Sequence, residues 1–160
     1  MKYYKDSNSR VYAFEEDGSQ DEAIPPGLSP ITASQAKDLS KPRLTSAQVL
    51  VAIKAERDRR IQSGGYKVGA KWFHSDTFSR TQQMGLVMMG ANIPAGTPWK
   101  TMDGSTVTMT QTLAGQIFGT AAASDIAIFA AAEAHRVAME ASADPATYDF
   151  STGWPKAFGE

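Results

Sequence analysis

Polar and apolar positions change period several times along the chain, and each change predicts an element boundary. Residues 1–24 alternate weakly, with Tyr3, Tyr12 and Phe14 in β-favouring runs on either side of the turn-forming Asp6-Ser7-Asn8-Ser9. A hairpin is predicted there, and Asp17-Gly18 marks a second turn. "IPPGLSP" excludes helix, because Pro25, Pro26 and Pro30 each lack a backbone donor. Thr32 can cap a short helix that stops before Pro42, and residues 24–43 as a whole read as a linker.

The pattern becomes helical at Thr45. "TSAQ" is a capping box in form, a hydroxyl followed three residues later by Gln48, whose amide can reach back to the cap. Val49, Leu50, Ile53 and Ile61 supply an apolar side, Glu56 and Arg60 form an i,i+4 pair, and Gly64-Gly65 ends the helix. Tyr66–Val68 and Lys71–Phe73 then read as strands around Gly69-Ala70. A second helix is predicted from Thr77 to Ala91 through Phe78, Leu86, Val87, Met88 and Met89, stopped by Asn92 and Pro94.

In "WKTMDGSTVTMT", Asp103-Gly104 predicts a type I′ turn between strands ending at Met102 and starting near Ser105, so that Met102, Val107 and Met109 share a face. Thr110 can cap a last helix of about 30 residues in which Leu113, Ile117, Ile128 and Met139 recur on one side, with Ser124 a point where it could bend. Alanine favours that helix because it loses no side-chain entropy. Asp144-Pro145 ends it, and the aromatic tail "YDFSTGWPKAFGE" is expected to fold back on the body. The fold class is α+β: a small β-rich N-terminal segment and linker (1–43), then a domain (44–160) ordered helix, hairpin, helix, hairpin, long helix.

Composition narrows the function classes. At 160 residues and 42% apolar, the chain can close one ordinary core with a small appendage. A net charge of −1 gives no bulk attraction to nucleic acid or to an anionic membrane. The charge is uneven: residues 45–82 carry seven Lys or Arg against three acids, and residues 102–160 carry two against seven. That split suits partner steering, and it also arises when one helix is basic and another acidic. Having no cysteine, the chain has no disulfide, thiolate metal site or cysteine nucleophile. The N-terminus lacks an apolar signal core, and no stretch reaches the roughly 18 apolar residues that span a bilayer. A cytosolic protein is expected.

The candidate chemistry centres on His74-Ser75-Asp76. Adjacent residues on extended chain point in alternate directions, so three in a row do not converge as a nucleophilic triad must. Asp76 fits better as the N-cap of the following helix. Two histidines and no cysteine leave only His74, His135 and carboxylates as metal ligands, and His135 falls on the expected buried helical face. No P-loop is present. "YKVGAKWF" sets aromatics beside lysines as single-strand binders do, but a hairpin with packed rings and solvated lysines accounts for it. Met84, Met88 and Met89 read as core filling, although methionine also suits adaptable binding surfaces. Catalytic, cofactor and metal residues are therefore none. A partner-binding role is expected, with Tyr3, Tyr4, Tyr12 and Phe14 as candidate anchors; the same four suit the small core of the N-terminal hairpin.

The run "RDRRIQSGGYKVGAKWFHSDTFSRTQQMGL", then "PWKTMDGSTVTMT", then an Ala-rich helix with "AEAHR" resembles a domain of unknown function in tailed bacteriophages that accompanies tail fibre assembly proteins. The resemblance covers residues 45–142 and is carried by Gly65, Phe73, Asp76, Ser79, Arg80, Trp99, Asp103, Gly104 and Val107. Structural roles are expected for Asp76, Trp99, Asp103 and Gly104. The resemblance implies a non-enzymatic chaperone that binds a trimeric tail fibre or receptor-binding protein in the host cytoplasm during assembly. The alternative is a permanent component of the virion tail, at its tip or baseplate. Nucleic acid, membrane, cofactor and small-molecule substrate are not expected partners.

One consequence needs only the sequence. Asp76→Ala should destabilise the protein by about 0.5–2 kcal/mol through loss of the cap, as read from thermal or urea melts; an unchanged melt would refute the cap.

Overall fold

The computed structural model describes residues 1–40 and 44–160. The chain divides into two compact units, Met1–Arg43 and Leu44–Glu160.

In the first unit, β1 (Lys2–Lys5) pairs antiparallel with β2 (Val11–Phe14), placing Tyr4 opposite Tyr12 and Tyr3 opposite Ala13. The Asp6 carboxylate shapes the turn by accepting from the backbone N–H groups of Asn8 and Arg10, each at 2.9 Å. The expected linker over 24–43 is instead structured as far as Leu39. β3 (Ser29–Ile31) adds to the other edge of β1, with Pro30 opposite Tyr4, giving the strand order β2-β1-β3. An edge strand needs donors on one side only, so Pro30 is accommodated there. Thr32 and Gln35 form a complete capping box that starts α1 (Ala33–Leu39). The predicted stop at Pro42 lies outside the described residues.

The second unit follows the predicted order. The Thr45 hydroxyl accepts from the Gln48 N–H and the Gln48 side chain accepts from the Thr45 N–H, so α2 (Ser46–Ser63) begins in a full capping box. β4 (Tyr66–Val68) and β5 (Lys71–Phe73) form the first hairpin, whose Gly69 has φ +60°. α3 (Thr77–Met89) starts at the Asp76 cap and ends at Gly90, earlier than the Ala91 boundary the sequence suggests. β6 (Pro98–Lys100) and β7 (Thr106–Thr108) form the second hairpin, and α4 (Gln111–Ala141) runs from the Thr110 cap without a break at Ser124.

The second hairpin departs from the type I′ expectation. Thr101 N–H donates to the Ser105 carbonyl and Gly104 N–H to the Thr101 carbonyl, so Met102-Asp103-Gly104 is a three-residue loop with Gly104 at φ +80°. The longer loop shifts the register by one residue, which turns a side chain to the other face. Trp99 lies opposite Val107 and both pack on the core. Met102 leaves that face: its N–H donates to the Trp72 carbonyl at 2.9 Å, and its sulfur fills the space a Cβ on Gly65 would occupy.

Two clusters of buried residues share α4. The first joins Tyr66, Phe73 and Met109 to Ala114, Ile117 and Ala121. The second joins Val49 and Ile53 to Ala132 and Met139, covered by Tyr148, Phe150 and Trp154 of the tail. Contrary to the sequence expectation, α4 is long and apolar enough to cross a membrane by length and composition alone, a test that core helices also pass.

The tail is tied down by a buried cation. Arg60 donates to Glu56 at 2.6 Å, to Glu160 at 2.9 Å and to the Pro155 carbonyl at 2.7 Å, and stands 5.5 Å from the Trp154 ring centre. Arg60 and the Ala157 N–H hold the Glu160 carboxyl below its ordinary value of 4.5. A carboxyl whose folded pKa is depressed stabilises the fold above its unfolded pKa, and that contribution is lost as pH falls through the folded value. The melting-temperature gap between wild type and Glu160→Gln should therefore be full well above pH 4.5 and shrink as pH falls below that value. A pH-independent gap would contradict the coupling.

Candidate interaction surface

Helix α3 is turned by its polar residues. Asp76 accepts from the Ser79 N–H at 2.9 Å and from its hydroxyl at 2.7 Å; these two bonds pull the Asp76 carboxyl below the usual range. One turn on, the Arg80 guanidinium donates to both Asp125 oxygens at 2.6 and 2.8 Å, to the Ser75 carbonyl at 2.6 Å and to the Ile61 carbonyl at 3.2 Å. It also lies 5.7 Å from the centre of the Tyr66 ring. Gln83 is buried between the Tyr66 hydroxyl, from which it accepts, and the His74 carbonyl, to which it donates at 3.0 Å. Burial pushes the Tyr66 phenol up.

With these groups inward, the opposite side of α3 carries no charge, because Arg80 is its one ionisable residue. That side exposes Phe78 at 72%, Met88 at 82% and Met89 at 42%, and Met84, one turn after Arg80, is 48% exposed at its edge. The core-filling role expected for the three methionines is thus overturned. Leu86 and Val87 take the core positions of this helix, and the arginine and glutamine anchors rotate the methionines to the surface. Between α3 and α4 runs a groove of about 350 Å³ lined by Thr81, Met84, Phe118 and Ala122, with the Arg80–Asp125 pair along it.

The other candidate residues are placed elsewhere. Ser75 is buried and its hydroxyl accepts from the Gly65 N–H at 3.0 Å, so His74, Ser75 and Asp76 serve three separate contacts. His135 is buried on α4, with Nδ1 3.0 Å from the Tyr148 hydroxyl and its ring 4.9 Å from that of Trp154. Among the described residues no cluster of three or more His, Asp or Glu is placed to hold a metal ion. Asp103 accepts from Lys71, Thr101 and Ser105, which together hold its carboxyl far below the carboxylate range. Trp99 packs on the first cluster, its Nε1 buried and without a hydrogen-bond partner among the described residues.

Strand alternation divides the N-terminal aromatics. Tyr3 faces α1 with Ala36, whereas Tyr4, Tyr12 and Phe14 share the opposite face, where the Tyr4 and Phe14 rings meet edge to face at 5.8 Å. All four are half-buried.

Sequence reasoning missed Gln83 and Asp125, and it singled out Arg80 only as a residue of the resemblance, without a role. A signal was present for Arg80 and Asp125: Arg80 is the lone charge of α3, and Asp125 is the lone charge of α4 between Gln111 and Ala132. Arg80→Met leaves the Asp125 carboxylate half-buried without its partner and should cost about 2–4 kcal/mol in urea unfolding. Adding Asp125→Leu should recover a large part of that loss; a double variant as unstable as the sum of the singles would contradict the pairing.

No curated protein and no solved structure matches the chain. Residues 45–152, which reach from the α2 cap into the tail, match a family described as a domain of unknown function, DUF4376, and the chain belongs to that family.

Proposed function

We propose that the protein is a non-catalytic assembly chaperone that binds a trimeric tail fibre or receptor-binding protein of a tailed phage in the host cytoplasm. The observation that carries a binding role is the uncharged outer side of α3, where Phe78, Met88 and Met89 stand in solvent. Unbranched methionine side chains conform to varied apolar surfaces at low cost. A fibre that has not yet trimerised exposes apolar, edge-rich β surface that pairs with other chains unless it is covered. A small folded domain with a chargeless, adaptable helix face is suited to that duty. The phage partner rests on the resemblance of residues 45–142 described above, since the family carries no function with it.

Co-expression with a tail fibre protein encoded beside this chain tests the reading. Soluble trimeric fibre should rise several-fold with the wild-type chain and return to the unaided level with Phe78→Glu/Met88→Glu. Those variants should keep the wild-type melt within about 0.5 kcal/mol, as exposed positions do. Fibre that is equally soluble and trimeric alone would sink the proposal. Recovery of the chain from purified particles in fixed ratio would assign it instead to the tail as a permanent component.

A further inference from the structure

The sheet of the first unit has two outer edges, and the parity of its hydrogen bonds makes them unequal. Asp6 N–H donates to the Arg10 carbonyl at 3.1 Å, and along an antiparallel ladder the pairs that exchange bonds alternate with pairs that do not. Tyr4 therefore bonds with Tyr12 and Lys2 with Phe14, and the backbone groups of Val11 and Ala13 point away from β1. The same parity turns Tyr3 and Lys5 toward Ile31 and Ser29, so the residue of β3 that points outward is Pro30. Having no N–H, Pro30 closes that edge to a further strand.

The β2 edge is open. Among the described residues no group bonds to the backbone N–H or C=O of Val11 or Ala13. The open stretch has defined ends. Ser9, at φ +63°, interrupts extended chain before Arg10, and the Glu15 N–H, the next to point outward, is taken by the Gln20 side-chain oxygen at 2.9 Å. What is left is two donors and two acceptors spaced as the alternate residues of one strand.

Beside this edge, between β2 and α1, lies a groove of about 360 Å³ lined by Tyr3, Val11, Ala13, Ala33, Ala36 and Ser40, with Lys37 at its side. Val11 and Ala13 share the sheet face of Tyr3, so a strand added to β2 would send every second side chain over the groove and the others beside Tyr12 and Phe14. The alanines and Val11 leave room for short aliphatic groups. Edge and groove call for the same occupant: unpaired backbone groups in a row are satisfied by another backbone, and the groove by its alternate side chains. A second copy of β2 fits less well. Antiparallel pairing of two identical edges sets both α1 helices on one face of the joined sheet, and each copy's Val11 and Ala13 side chains would stay under their own helix instead of filling the other's groove.

We propose that the β2 edge and the groove beside it form a strand-addition site for an extended peptide segment with short aliphatic side chains at alternate positions. This goes beyond the assembly role proposed above and does not depend on it, since the site lies in the first unit, outside residues 45–152 and the α3 face.

A capped peptide of alternating valine and threonine is the probe. In the free protein the Val11 and Ala13 amides should exchange readily with deuterium, and saturating peptide should slow both about tenfold, whereas Tyr12, already bonded to β1, should hardly change. Methylating one alternate set of peptide nitrogens should abolish binding, and methylating the other set should leave it within about twofold. Ala13→Pro, which removes an outward N–H, should weaken binding about tenfold, and Ala13→Arg, which fills the groove, should weaken it as well. Phe78→Glu/Met88→Glu should bind the peptide as the wild type does. Val11 and Ala13 amides that stay open to exchange at millimolar peptide would overturn the proposal, as would equal binding of the two methylated peptides. Amides already protected without peptide, in a protein that sediments above its 17.2 kDa chain mass, would assign the edge to a second copy and overturn it too.

Discussion

The second unit depends on one guanidinium. Arg80 joins α4 through Asp125, the end of α2 through the Ile61 carbonyl, the loop before its own helix through the Ser75 carbonyl, and β4 through the face of Tyr66. A planar fork of five donors can satisfy partners on several elements at once, which a lysine ammonium cannot do in fixed geometry. Asp125 falls between Ala121, the last α4 residue of the first cluster, and Ala132 of the second. The pair therefore sits where the two clusters adjoin along α4, and it fixes the rotation of α3 against that helix.

That placement has a consequence for the surface. An ordinary amphipathic helix turns charge to water and apolar groups to the core. Here the single charge of α3 and the central charge of α4 are spent on each other, and Gln83 is spent on Tyr66 and the His74 carbonyl. Among the side chains left to solvent on those helices are Phe78, Met84, Met88 and Met89 of α3 and Phe118, Ile126 and Phe129 of α4. The ion pair between α3 and α4 and the apolar side chains those helices leave in solvent have one cause. Arg60 plays a comparable part at the other end of the unit, but its partners lie on the tail and its effect is to cover the second cluster rather than expose a face.

Features encoded within four or five residues were legible in the sequence, because their physics is local. Thr45 with Gln48, Asp76 and Thr110 each cap the helix that follows, and Gly69 and Gly104 mark hairpin turns. Features that depend on distant partners were not legible. β3 forms through Pro30 only because β1 offers a free edge twenty-odd residues away. The loop at Met102-Asp103-Gly104 takes three residues rather than two because Trp99 and Val107 must both reach the core, and Asp-Gly alone does not decide between the lengths. The methionines of α3 satisfy helical periodicity whether they point in or out. Their direction was set by Arg80 and Gln83, whose partners lie on other elements.

The same contrast explains why His74-Ser75-Asp76 drew attention as chemistry and is architecture instead. Each residue serves a different neighbour: the His74 carbonyl receives Gln83, the Ser75 hydroxyl receives the Gly65 amide, and Asp76 receives Ser79. All three are constraints on how α3 leaves the first hairpin. A helix launched with so many fixed contacts has little freedom to rotate its exposed methionines back inside, and exposed apolar side chains held this way lower solubility without adding to the fold. A face that costs the monomer something is best accounted for by what covers it, and this chain has two such faces, on neighbouring helices, with different texture. The α3 face is built of flexible methionines around Phe78, and the α4 face of the more rigid Phe118, Ile126 and Phe129.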